Sequence, residues 1–240
     1  RVVGRVMFPA LSSIQDDKPR VKRAYLKSIS IIGLITFPMM TGLFAVSDHF
    51  ILALLGRQWT DAIPILKIFC FVGLIQSIST TVGWVYMSQG RTGLYFIMGL
   101  INSAVVILAF IIGIHWDAIG VACAYLVAML LLWYPSWAIP GRLISLTFYE
   151  ILRSLAPPFF CALSMGAIIW AGNQILPVEI AHWLYLSIQI PFGVLLYLSL
   201  VIFFKLDSWQ ESKKTIYEFA GERLLSPLKL FFTRKLFCRE

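Results

Sequence analysis

Carboxylates are scarce in this 240-residue chain, and none of its twelve Asp and Glu residues falls inside a long apolar run. They sit in the gaps between runs, at run ends or in the C-terminal tail, so this chain offers no buried carboxylate for holding a proton or sodium ion at the centre of a membrane. Cysteine is equally uninformative as chemistry. Cys70, Cys123, Cys161 and Cys238 are scattered and form no CxxC or Cys/His cluster, which excludes a disulfide framework and a zinc site and leaves small packing residues. Charged residues of both signs amount to 13%, about half the roughly 25% of soluble domains. An ordinary soluble core is excluded as well.

What the chain has instead is apolar length. Hydrophobic residues make up 59%, gathered into six runs at about 28–46, 62–87, 93–114, 119–138, 155–171 and 183–204. A helix needs roughly 20 apolar residues to cross about 30 Å of hydrocarbon, and these runs meet that length. The expected fold class is therefore all-α, a polytopic integral membrane helical bundle. Residues 1–12 read as the last turns of a further helix that starts upstream, 13–27 as a basic loop, 142–154 as an amphipathic linker, and 205–240 as a tail.

The basic residues give the orientation. One alternate set of gaps holds Lys18, Arg20, Lys22, Arg23, Lys27, Arg91, Arg142 and Arg153, and the tail adds eight more; the other set holds only Arg57. The excess marks the cytoplasmic side and places the C-terminus inside. Trp59, Trp116, Trp183 and His182 then fall at the outer boundary, where an aromatic belt is expected. A net charge of +8 could suggest nucleic acid, but its position beside the runs suits anionic lipid headgroups better. In the tail, Leu224, Leu225, Leu228, Phe231, Phe232 and Leu236 oppose Arg223, Lys229, Arg234, Lys235 and Arg239. That pattern reads as an amphipathic helix lying on anionic lipid, with calmodulin-like target binding as the rival.

Polar residues inside the runs are the candidates for function. Gly73, Gln76, Ser77, Thr80, Gly83 and Trp84 share a helix face that either lines a hydrated cavity or packs closely through small residues. Asn102, beside Ser103, poses the same choice. Lys67 could snorkel to the headgroups or enter a cavity. Arg5 could grip a phosphate with its fork of donors or anchor the inner mouth. Prolines at 38, 135, 157, 158 and 191 each free a carbonyl that some neighbour must satisfy.

The segments VVGRVMFPALSSIQDD (2–17), RVKRAYLKS (20–28), TFPMMTGLFAVS (36–47), LLGRQWTDAIPILKIF (54–69) and MSQGRTG (87–93) together resemble the C-terminal half of bacterial oligosaccharide flippases of the O-antigen and colanic-acid exporter type. These belong to the superfamily that also contains the multidrug and toxin extrusion transporters. The resemblance implies a chain about twice as long, with two helical lobes around a central cavity. The N-terminal lobe would be this chain's partner, and polyprenyl-diphosphate-linked glycan its cargo. Transport would run from the inner to the outer face of the inner membrane by alternating access. Arg5 lies in the matching segment and becomes a cavity or gate candidate. Arg5, Lys67, Gln76, Thr80 and Asn102 are the substrate-binding candidates; no catalytic residue, metal or cofactor is assigned.

Three other readings compete. A multidrug or cation antiporter on the same scaffold would want a cavity carboxylate. A membrane glycan polymerase or ligase would need an acid–base group at the outer face, for which His49 with Asp48 and His115 with Asp117 are the nearby pairs. An inert scaffold would need neither.

Overall fold

The computed structural model describes residues 11–175 and 182–204. Its elements are α1 (Lys18–Leu54), a 3-10 turn (Arg57–Trp59), α2 (Ala62–Ser79), α3 (Val82–Ser88), α4 (Thr92–Gly113), a second 3-10 turn (Ile114–Trp116), α5 (Asp117–Leu143), α6 (Phe148–Ile175) and α7 (His182–Phe203). Five continuous stretches are long and apolar enough to cross a membrane, and the longest of them, Thr92–Leu143, contains both α4 and α5. With α4 and α5 counted separately, six segments of the described residues have the length to cross, in an all-α multi-pass bundle. Arg5, most of the segment 1–12 and the whole tail lie outside the described residues.

The first correction concerns the start of α1. Residues 18–27, read from their charge as a loop, form its first turns. The Asp17 carboxylate accepts a hydrogen bond from the Arg20 backbone N–H at 3.0 Å, and Pro19 stands in the opening turn, where its missing N–H costs nothing. Val21, Tyr25, Ser28 and Ile29 then bury one side at the three- and four-residue spacing of a packed helix face. Charge on the opposite side had concealed this stripe. At 37 residues α1 is about 55 Å long, well beyond the hydrocarbon, so its basic end projects past the membrane.

The expected linker at 142–154 is mostly helical too. Only 144–147 connects α5 to α6. There the Glu150 carboxylate accepts from the Thr147 N–H at 2.9 Å, one half of a capping box. Lys22 binds Glu150 at 2.7 Å and the Ser145 carbonyl at 3.0 Å, tying α1 to this corner.

The run at 62–87 breaks at Thr80–Thr81 into α2 and α3. Ser79, Thr80 and Thr81 each turn a hydroxyl back to a carbonyl three or four residues earlier. Such bonds compete with the helical ladder and bend it. Thr81 is buried and also bonded to the Tyr25 hydroxyl at 2.9 Å, which fixes the break against α1.

Helix α1 is the hub, packing on α2, α6 and α7, while α5 packs on α2 and on α4. The α4–α5 turn depends on glycine. A Cβ on Gly113 would lie 2.7 Å from the Val121 Cα and 2.8 Å from the Gly120 oxygen, so only a bare backbone fits. Most of the remaining α4 surface is exposed and apolar, as a lipid-facing helix should be. A core lies at the end of the bundle where α1 begins and α5 meets α6, with Tyr25, Ile29, Trp137, Ile144, Ile151 and Leu155 buried together.

Two proline-freed carbonyls find donors on other helices. Pro38 has no N–H to give the Leu34 carbonyl. The Tyr197 hydroxyl of α7 donates to that oxygen at 2.9 Å. Pro158 likewise leaves the Ser154 carbonyl, and the Ser30 hydroxyl of α1 donates to it at 3.2 Å. Here the cost of a proline in lipid is offset by a neighbouring hydroxyl, and the bond also fixes how the helices sit together.

Candidate functional site

A groove of about 830 Å³ is walled by α1, α2, α5 and α6. It exists because α5 and α6 scarcely touch although both are held in place by other contacts, α5 on α2 and α6 on α1. Its lining is almost wholly apolar: Phe37 and Phe44 from α1, Phe71 from α2, Trp133 from α5, Phe159 and Phe160 from α6. Phe37 meets Phe159 edge-on at 5.7 Å, and Phe44 meets Phe71 at 5.2 Å. Such a surface accepts hydrocarbon and offers almost nothing to a sugar hydroxyl or a phosphate.

None of the described sequence candidates lines this groove. Gln76 and Thr80 are exposed on the side of α2 turned away from it, since Gln76 is two residues, or about 200°, from the groove-lining Leu74. The Thr80 hydroxyl bonds only the Ser77 carbonyl of its own helix, at 3.1 Å. Asn102 is half-buried on α4, remote in sequence and on a different helix. The proposed stripe on α2 and α3 is divided among three surroundings. Ser77 accepts from Thr36 of α1 at 3.2 Å, Gly73 abuts Met40 and Gly83 abuts Tyr95, whereas Gln76 and Thr80 remain free of such packing. The small members pack helices; the larger polar members do not.

Lys67 neither snorkels alone nor enters the groove. Its ammonium binds both oxygens of Asp48, at 3.0 and 2.9 Å, joining α2 to α1. With the two side chains 35% and 51% exposed, the pair is a wet bridge near the end of α1.

Sequence reasoning missed the polar cluster beside it. The Asn173 amide of α6 donates to the Ala45 carbonyl at 2.8 Å, while its oxygen accepts from the Tyr185 hydroxyl at 2.7 Å and from the Gln189 amide. The His49 and His182 Nδ1 atoms are 3.1 Å apart, and the Tyr185 ring lies tilted by 39° against His49 with centroids 4.0 Å apart. His182 had been read as belt and His49 as a partner of Asp48. Their sequence separation gave no signal that they meet. Trp59, Trp116 and Trp183 are exposed near the ends of their elements. Among the described residues no group of three His, Cys, Asp or Glu side chains is placed to hold a metal.

Comparison with known proteins agrees with the sequence resemblance. Residues 1–64 match the family model described as polysaccharide biosynthesis protein. The chain is 29% identical over 182 residues to the lipopolysaccharide biosynthesis protein WzxC of Escherichia coli (strain K12), covering 75% of this chain and 37% of that protein. It is 27% identical over 215 residues to the teichuronic acid biosynthesis protein TuaB of Bacillus subtilis (strain 168), covering 84% and 42%. With the succinoglycan biosynthesis transport protein ExoT of Rhizobium meliloti (strain 1021), 28% identity extends over 99 residues, or 41% and 20% of the two chains. The chain therefore spans less than half the length of these relatives. No solved structure matches it.

Proposed function

We propose that this chain, similar to membrane proteins of polysaccharide biosynthesis and transport, forms one lobe of a carrier for lipid-linked oligosaccharide. The observation that carries this reading is the match of its first 64 residues to the polysaccharide biosynthesis family, joined to relatives named for polysaccharide biosynthesis and transport. The carrier is a transporter rather than an enzyme. It sits in a bacterial inner membrane with the C-terminus inside, as the concentration of basic residues on one side supports.

The physical task is to bring a glycan and its pyrophosphate across hydrocarbon, where one charge at the centre costs about 3 kcal/mol or more. The described groove is too apolar for that part of the cargo. We assign the glycan path to the exposed face of α2 carrying Gln76 and Thr80, opposite the groove, and propose that the second lobe packs over it. Alternating access between the two lobes would expose that face to each side in turn. Arg5 would supply the cation facing pyrophosphate, and the basic tail would rest on anionic lipid.

Export by the full-length protein in cells lacking their own exporter tests the assignment. Gln76→Leu combined with Thr80→Val should reduce surface polysaccharide several-fold at unchanged membrane abundance. Full export by the double variant would remove this face from the path.

A further inference from the structure

We propose that His49 and His182 form a one-proton clamp at one end of the bundle, and that a second proton releases the first turn of α7 from α1. The clamp is independent of what the protein carries. His49 lies beyond the apolar run 28–46, and His182 opens α7, so both rings sit at that rim and can exchange protons with water. Their Nδ1 atoms face each other at 3.1 Å, in the alignment of an N–H on one ring with the lone pair of the other. A single proton fits on that line, and among the described residues no third His, Cys, Asp or Glu side chain joins the two rings to hold a metal.

Three protonation states follow from the two imidazoles. With both rings neutral, one Nδ1–H donates to the other Nδ1. One added proton makes the donor ring an imidazolium through its Nε2 and strengthens the bond by charge. A second added proton puts an N–H on both facing nitrogens, so the bond is lost and two cations face each other. The clamp therefore holds at zero or one added proton and opens at two.

Among the described residues the carboxylate facing the pair is Asp48 of α1, and its charge is shared with the Lys67 ammonium of α2, which holds both of its oxygens. From α7 the facing titratable group is Tyr185, tilted against His49 with its hydroxyl committed to Asn173. From α6 it is that neutral amide. Glu179, in the connection between α6 and α7, lies outside the described residues. The consequence of opening is local. Further along, α7 stays attached through the Tyr185 and Gln189 bonds to Asn173, the Tyr197 bond to Leu34 and the packing of Gly193 against Ile169, so only its first turn, ahead of Tyr185, swings.

Histidine-selective nitrogen-15 NMR of the full-length protein can read this directly, because His115 is the third histidine of the described helices and serves as an internal reference. From pH 8 to 5 the His49 and His182 resonances should move together in two coupled steps. Spin labels at Leu54→Cys and Trp183→Cys, with the native cysteines replaced by serine, should separate across that second step and not across the first. In His182→Gln and in His49→Asn, each keeping a hydrogen-bonding side chain, the remaining histidine should titrate in one step and the label distance should stop depending on pH. Independent single-step titration of the two rings, or a label distance unchanged once both are imidazolium, would overturn the clamp.

Discussion

Replacing Tyr197 by Phe removes one oxygen atom and leaves the Leu34 carbonyl without a donor. In an ordinary helix this would matter little, because the residue four positions on would supply an N–H. Here that residue is Pro38, which has none. Leu34 and Tyr197 are each only 6% exposed, so water cannot substitute. An interhelical hydrogen bond in a membrane protein averages about 0.6 kcal/mol and reaches about 1.7. Leaving a buried carbonyl unsatisfied costs about 1–3 kcal/mol. The second situation applies, and Tyr197→Phe should destabilise the bundle by about 1–2 kcal/mol. The cause can be isolated with Pro38→Ala, which restores an N–H to Leu34 within α1. Measured by unfolding in mixed detergent micelles, Tyr197→Phe should cost at least about 1 kcal/mol less in the Pro38→Ala background than in the native one. Equal costs in both backgrounds, within the roughly 0.3–0.5 kcal/mol expected of independent sites, would refute the claim that the hydroxyl serves the proline.

Two further substitutions separate a rigid contact from a loose one. Gly113→Ala places a methyl against the Gly120 and Val121 backbone and should cost about 1–3 kcal/mol by overpacking, read as a lower unfolding midpoint; an unchanged midpoint would mean that α4 and α5 sit further apart. Lys67→Met should cost less than about 1 kcal/mol and lose even that in high salt, because its bridge to Asp48 is exposed to solvent. A loss of several kcal/mol would mean that the pair is shielded by something beyond the described residues.

The crossings were legible because hydropathy over about 20 residues responds to lipid and to little else. The start of α1 was not, since its charges occupy one side of a helix whose other side, at Val21, Tyr25 and Ile29, is buried. The break at Thr80–Thr81 depends on three consecutive hydroxyls, a local signal that the apolar run masked. The prolines were visible as problems, but their partners Tyr197 and Ser30 are 163 and 124 residues from the oxygens they satisfy. The candidate site was the least readable part. Residue type marked Lys67 and Gln76 as polar groups in a membrane, whereas their roles depend on which way each helix turns. Lys67 found Asp48, and Gln76 was left facing outward. The His49–His182 contact joins residues 133 apart and carries no periodic signature at all.

The central claim is that this chain is part of a carrier for lipid-linked glycan. Its most direct test is reconstitution of the full-length protein in liposomes bearing a fluorescent polyprenyl-diphosphate oligosaccharide, followed by an enzyme that trims only glycan on the outer surface. The account predicts that the protected inner fraction becomes accessible on a timescale far shorter than in protein-free vesicles. A protected fraction that persists equally with and without the protein would contradict it.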